Sequence, residues 1–167
     1  MLRAVAVCAV LVLGTTLPVA AAQTDDDAAF IAKVIELTNA ERENAGLAPL
    51  VENDQLGDAA QGYSEVLANG ACFDHTCGEV PDFADRDAQA GYTGWTDIGE
   101  NIAAGYPTPE AVVAGWMASP GHRANILSPN FSEIGVGVAR GGQFGTYWTE
   151  EFGSRGQAVQ LASRAAP

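Results

Sequence analysis

Two histidines and one glutamate are the side chains of this sequence best suited to chemistry. His75 lies between two cysteines in segment 72–77, and His122 follows a Pro-Gly pair in segment 119–123. Glu100 places a carboxylate in the stretch 98–103, a position where an apolar strand would not favour one. Two imidazoles and a carboxylate suit a divalent metal, with zinc favoured, and they also suit general acid–base catalysis near neutral pH.

The spacing of these residues is not itself a metal motif, because His75 and His122 are far apart in the sequence. The alternative is two unrelated surface or capping histidines, with Glu100 accepting backbone hydrogen bonds or pairing with Arg123. Ser119 lacks the Gly-x-Ser-x-Gly surroundings of an activated nucleophile. The sequence therefore supplies candidate site residues, and it assigns a catalytic role to none of them.

The cysteines bear on how His75 is held. Cys72 and Cys77 are an even pair in the mature chain, and in an oxidising compartment their spacing permits a small disulfide-closed loop. Two free buried thiols are the alternative. A disulfide here would fix His75 more than it would stabilise the whole fold, because short loops gain little closure entropy.

The first 22 residues predict a cleaved signal peptide. Arg3 precedes an apolar run over 4–17, and small residues end at Ala22, so that Gln23 begins the mature chain and Cys8 is removed. An uncleaved anchor is the alternative, although the run is short and an acidic segment follows it. We expect a secreted or periplasmic protein, with no transmembrane segment after cleavage.

The charge of the chain restricts its partners. The net charge is -13, with a single lysine, and nucleic acids or anionic membranes need a basic footprint. We expect an extracellular or envelope ligand instead. We also expect the protein to be a monomer.

The hydrophobic pattern predicts the elements that position the site. Four helices are expected over 27–45, from a cap at 53 or 54 to 70, after Pro81 to 90, and from a cap at Thr108 to 117, before the Pro-Gly pair at 120–121 breaks the last one. Strands are expected over 133–140 and 146–152 around a loop at 141–145, with 98–103 as a third strand. This predicts an α+β domain, with about four helices on both sides of a small antiparallel sheet.

Five short sequence motifs, at 37–42, 99–103, 116–123, 134–138 and 147–149, occur in the order found in one protein family. Together they resemble the bacterial branch of the CAP superfamily, the cysteine-rich secretory, antigen 5 and pathogenesis-related proteins. The resemblance spans about residues 28–153 and implies an α-β-α sandwich, so the domain is assigned to residues 23–153. The segment 154–167 is rich in Ala, Gln and Ser, and we expect it to be a frayed tail. The resemblance also implies a cleft lined by two histidines and two glutamates.

By position, the resemblance assigns His75, Glu100 and His122 to that cleft. The remaining glutamate of many animal and plant relatives lies three residues after the helix tryptophan, where this sequence has Ser119. Trp95 and Asn101 are candidates for the ligand rim, and Arg86 is expected to tie the third helix to the cleft.

The function expected from the sequence is a secreted binding domain whose His/Glu/His cleft holds a divalent metal and an extracellular ligand, either a lipid or an envelope component. One alternative is an envelope interaction module that uses the loops at 91–97 and 141–145. The other is a metal-dependent hydrolase of peptide or cell-wall polymer. Whether the protein is an enzyme is left open.

Overall fold

The computed structural model describes residues 25–70 and 72–156. The predicted signal peptide and the segment 157–167 lie outside the described residues. The elements in chain order are α1 (Asp25–Asn44), β1 (Val51–Glu52), α2 (Asp54–Asn69), α3 (Phe83–Gln89), β2 (Trp95–Ala104), α4 (Pro109–Ala118), α5 (Pro120–Ile126), β3 (Glu133–Gly141) and β4 (Gly145–Arg155). None of these helices is long and apolar enough to cross a membrane.

The strands form one sheet in the order β1-β3-β4-β2. β3 and β4 make the predicted hairpin, and β2 is the predicted third strand, antiparallel to β4. The short β1 pairs parallel with β3, so the sheet is mixed rather than purely antiparallel as predicted. β4 continues two residues beyond the predicted domain end at Gly153, because Ser154 and Arg155 still pair with β2.

Helices cover both faces of the sheet, which confirms the predicted α-β-α sandwich. One core lies between the sheet and α1, α4 and α5, and its largest members are Trp116, Trp148, Phe131, Phe152, Ile126 and Ile134. The opposite core lies beneath α2 and includes Tyr63, Leu67, Ile102 and Tyr147. Consecutive side chains along a strand point to opposite faces of the sheet, so consecutive residues within β2, and within β4, pack into opposite cores.

Two glycines let α2 approach the sheet closely. A Cβ atom at Gly135 would lie 2.1 Å from the backbone of Leu56 and Gly57, and one at Gly137 would lie 2.3 Å from the Gln61 backbone nitrogen. The small residues that alternate with the apolar residues of β3 therefore mark the face on which α2 packs.

The segment after α4 forms a fifth helix that the sequence analysis did not predict. The helix break predicted at the Pro-Gly pair agrees with the end of α4 at Ala118. Pro120 is, however, the first residue of α5, a position where proline is tolerated because its missing N–H has no helical partner. The chain turns at Ser119 and resumes as a helix that carries His122.

β2 is an edge strand whose outer side is met by side chains. Trp116 donates from Nε1 to the Ile102 carbonyl oxygen at 3.3 Å, and Asn125 donates from Nδ2 to the Glu100 carbonyl oxygen at 3.1 Å. Helices α4 and α5 are thereby joined to the strand that carries Glu100.

Candidate functional site

A disulfide-closed loop between α2 and α3 carries His75. Cys72 and Cys77 are bonded, which confirms the predicted pairing. The Tyr63 hydroxyl of α2 donates to the Asp74 carbonyl oxygen of the loop at 2.5 Å, and the His75 backbone N–H donates to the Asp74 carboxylate at 2.6 Å. The disulfide and these two hydrogen bonds therefore fix the loop backbone that carries the His75 ring.

His75 meets Glu100 directly. Nδ1 of His75 lies 2.7 Å from Oε1 of Glu100, and 48% of the histidine side chain is exposed, compared with 1% of the glutamate side chain. Glu100 faces α2 because it alternates with Asn101 along β2. The hydrogen bond to Glu100 is the main reason that the pKa of His75 is raised, since it favours the imidazolium form.

Arg86 binds the other oxygen of the same carboxylate. Its Nη2 donates to Oε2 of Glu100, and its Nη1 donates to the carbonyl oxygens of Pro81 at 2.7 Å and His75 at 3.2 Å. The guanidinium carbon also lies 3.4 Å from the centre of the Tyr63 ring. The expectation that Arg86 ties the third helix to the cleft is confirmed, and Arg86 rather than Arg123 pairs with Glu100.

His122 belongs to the helix layer on the α1 side of the sheet, opposite the α2 side that Glu100 faces. It belongs to α5 and is partly buried, and its carbonyl oxygen accepts a hydrogen bond from Nδ2 of Asn101 at 3.2 Å. Burial lowers the pKa of His122, and positive charge on His75 lowers it further. The two rings are therefore within electrostatic reach of each other, although the described contacts do not join His122 directly to Glu100.

The two expected rim residues are placed differently. Trp95 begins β2 and is 40% exposed, about 16 Å along the strand from Glu100. Asn101 is fully buried, which corrects its assignment to the rim. It donates to Oε2 of Glu150 at 3.0 Å and accepts from Asn125 at 2.9 Å, so it joins β2 to β4 and α5.

Two further carboxyl groups lie behind the site. Glu151 is opposite Glu100 in the β2–β4 pairing, and Asp87 follows Arg86 in α3. Both are fully buried, and their carboxyl oxygens have no hydrogen-bond partner among the described residues. Burial raises the pKa of Asp87 to about 7. Burial, followed by the charges of Glu100 and Asp87, raises the pKa of Glu151.

Sequence reasoning missed this buried group of acids. The signal available was the pair Glu150-Glu151 in the middle of the predicted strand 146–152, where consecutive side chains must enter opposite cores. Glu150 enters the α1 side, where it accepts hydrogen bonds from Thr38 at 2.7 Å and from Asn101. Glu151 enters the α2 side, next to Glu100 and 3.7 Å from Nη2 of Arg86.

The arrangement does not fit the expected metal site. Each carboxylate oxygen of Glu100 accepts one hydrogen bond, from His75 or from Arg86, and the Arg86 guanidinium places a positive charge where a cation would approach Oε2. Within residues 25–70 and 72–156, no three His, Cys, Asp or Glu side chains are grouped so that they could hold a metal ion. As they are placed, His75, Glu100 and His122 do not form a zinc-binding set.

Comparisons with known proteins agree with this fold. The model of the cysteine-rich secretory protein family, CAP, matches residues 35–152. The chain belongs to the CAP family. An extracellular protein containing an SCP domain from Bacillus anthracis has a similar structure, with a TM-score of 0.72 and 29% identity, over 79% of this chain and 44% of that one.

Two proteins of Bacillus subtilis (strain 168) are related in sequence. The uncharacterized protein YkwD is 43% identical over 124 residues, which is 74% of this chain and 47% of that protein. The uncharacterized membrane protein YlbC is 33% identical over 120 residues, which is 72% of this chain and 33% of that protein. The chain thus spans less than half the length of each of these relatives.

Proposed function

We propose that the protein is an extracellular binding domain whose ligand contacts His75 in a cleft that also contains Glu100 and His122. One observation carries the proposal: a half-exposed imidazole is held 2.7 Å from a carboxylate that is almost completely buried. Burying an ionised group is costly, and such arrangements concentrate at functional sites. Here the buried charge orients a side chain that solvent, and therefore a ligand, can reach.

Three observations support a location outside the cell. The Cys72–Cys77 disulfide is typical of an oxidising compartment. The family is named for secretory proteins, and the similar Bacillus anthracis structure belongs to an extracellular protein. A signal peptide ending at Ala22 would supply the export route. An envelope component, either a lipid or a cell-wall polymer, is then the ligand that such a domain would meet first.

The test uses cosedimentation with two probes, purified bacterial cell-wall polymer and neutral phospholipid vesicles. We expect His75→Ala and Glu100→Gln to weaken binding of the preferred probe by about tenfold or more, as for other central contacts. Thr76→Ala, an exposed position in the same loop, is the matched control and should bind as the wild type does. Wild-type protein that binds neither probe would contradict an envelope ligand.

Binding that survives both site substitutions would instead favour the interaction module, in which the loops at 91–97 and 141–145 make the contact. Replacing the exposed Phe144 by Ser would then abolish binding, and the cleft proposal would be wrong.

The same pair of residues also has the geometry of a general base. A carboxylate bound to Nδ1 orients the ring and leaves Nε2 as the nitrogen that takes a proton, which is how His activates water in hydrolysis. This second candidate predicts turnover of a peptide or cell-wall fragment library. The turnover would be lost in Glu100→Gln and kept in Thr76→Ala. An absence of turnover by the wild type contradicts it.

A further inference from the structure

Arg86 occupies the side of Glu100 that a metal ion would need. Its guanidinium donates to Oε2 and His75 contacts Oε1, so a positively charged group already lies against the carboxylate on the Oε2 side. The arginine and glutamate side chains are 8% and 1% exposed. A divalent ion that enters this space would meet a fixed positive charge at short range, in surroundings that screen charge poorly.

The arginine is also difficult to displace. The same guanidinium donates to the carbonyl oxygens of His75 and Pro81 and stacks on the ring of Tyr63. Moving it aside would break these contacts and leave two backbone carbonyl groups without this donor. The planar, multi-donor shape of arginine suits such a bridging position, and lysine could not reproduce it.

We infer that Arg86 takes the place of a divalent cation as the permanent partner of Glu100, so that the site recognises its ligand without a metal. Arg86 is in this sense a residue that determines specificity, because it excludes metals from a site whose histidines would otherwise attract them. The inference concerns the choice of cation and rests on the proposed function only where it mentions the ligand.

The test is a gain of metal binding. Arg86→Gln removes the charge and keeps an amide that can donate to a nearby carbonyl oxygen, so no positive charge then faces Oε2 of Glu100. Zinc alone, titrated by calorimetry, should bind this variant about tenfold or more tightly than the wild type, since orienting contacts next to a metal ligand change affinity by about 10–100-fold. Arg86→Lys keeps the charge and should not show the gain.

A second substitution assigns the gain to the site. Adding His75→Ala to Arg86→Gln should remove the new zinc affinity, and Thr76→Ala in the same background should not. If the wild type binds one zinc ion as tightly as Arg86→Gln does, and His75→Ala abolishes that binding, the inference is overturned. Equal zinc binding by Arg86→Gln and Arg86→Lys also overturns it, because the charge would then not be the cause.

A measurement on the wild type covers the case in which Arg86→Gln fails to fold. Zinc should leave the ring ¹⁵N chemical shifts of His75 and His122 unchanged, and a chelator should not release protein from cell-wall polymer or vesicles. Saturable zinc-dependent shifts of both histidines overturn the inference. The zinc titration and the ring shifts need no envelope ligand, and only the chelator measurement does, so failure of the binding proposal and failure of this inference are separate results.

Discussion

Asp87 offers a direct test of the buried acid group. It lies in α3 with no exposed surface, and neither carboxyl oxygen has a hydrogen-bond partner among the described residues. Burial, which dominates, raises its pKa from 3.8 to about 7; nearby Arg86 opposes this rise and Glu100 adds to it. Asp87→Asn keeps the size of the side chain and removes its ability to ionise.

The expected effect follows from the direction in which the pKa moves on folding. As the pH rises above 4, the unfolded chain releases the proton of Asp87, whereas the folded protein retains it until about pH 7. Each pH unit between these two pKa values reduces the free energy of unfolding by about 1.4 kcal/mol, so the cost grows to about 4 kcal/mol above pH 7. Asp87→Asn removes that cost and should stabilise the protein at pH 8, with little change near pH 4.

Urea unfolding of the oxidised protein at pH 4 and pH 8 measures this difference. Glu150, with a pKa of about 7, contributes equally to the pH dependence of both proteins and cancels when they are compared. Glu151 does not cancel, because the charge of Asp87 helps to raise its pKa; removing that charge adds to the gain at pH 8. The control is Asp85→Asn, an exposed position in the same helix, which should change stability by less than about 1 kcal/mol at either pH. A gain that is equal at both pH values, or a loss at pH 8, would refute the reasoning.

Three further predictions concern the scaffold and use the same unfolding assay. Gly135→Ala should cost about 3 kcal/mol or more, because its Cβ atom would lie 2.1 Å from the α2 backbone, whereas Gly62→Ala, with nothing within 4 Å, should stabilise the helix slightly. Arg42→Lys should cost about 2–4 kcal/mol, since the guanidinium donates to four backbone carbonyl oxygens. Replacing Cys72 and Cys77 by Ser should cost about 2 kcal/mol, the value expected for a short loop.

Each of these has an outcome that contradicts it. Equal effects of Gly135→Ala and Gly62→Ala would mean that the close approach of α2 is not required. Full stability of Arg42→Lys would mean that charge alone holds the loop 126–131. Unchanged stability of the double Ser variant would assign the loop geometry to Arg86 and Tyr63 rather than to the disulfide.

Helix starts were predictable because they depend on local chemistry. The Asn53 side chain accepts from the backbone N–H groups of Gln55 and Leu56, and the Thr108 side chain accepts from that of Ala111, as the capping preferences indicate. β1 was missed because two residues carry no periodic pattern, and their parallel pairing with β3 depends on chain segments more than 80 residues apart.

The candidate site was only partly visible in the sequence. His75 and Glu100 stood out by residue type, and the structure brings them into contact. The roles of Arg86 and Glu151 depend on the β2–β4 register and on where α3 packs, and neither is encoded in a short segment. Asn101 shows the opposite case, because a polar residue next to a candidate site suggests exposure, whereas its side chain bridges the buried Glu150 carboxyl group and the Asn125 amide.

The side chains that meet the outer side of β2 have a consequence for self-association. An exposed edge strand normally offers free carbonyl and N–H groups to which another chain can add as an extra strand. Here an indole and an amide take the outward carbonyl groups of Ile102 and Glu100. The strand that carries the candidate site is thereby shielded from edge-to-edge aggregation, while the neighbouring imidazole stays open to solvent.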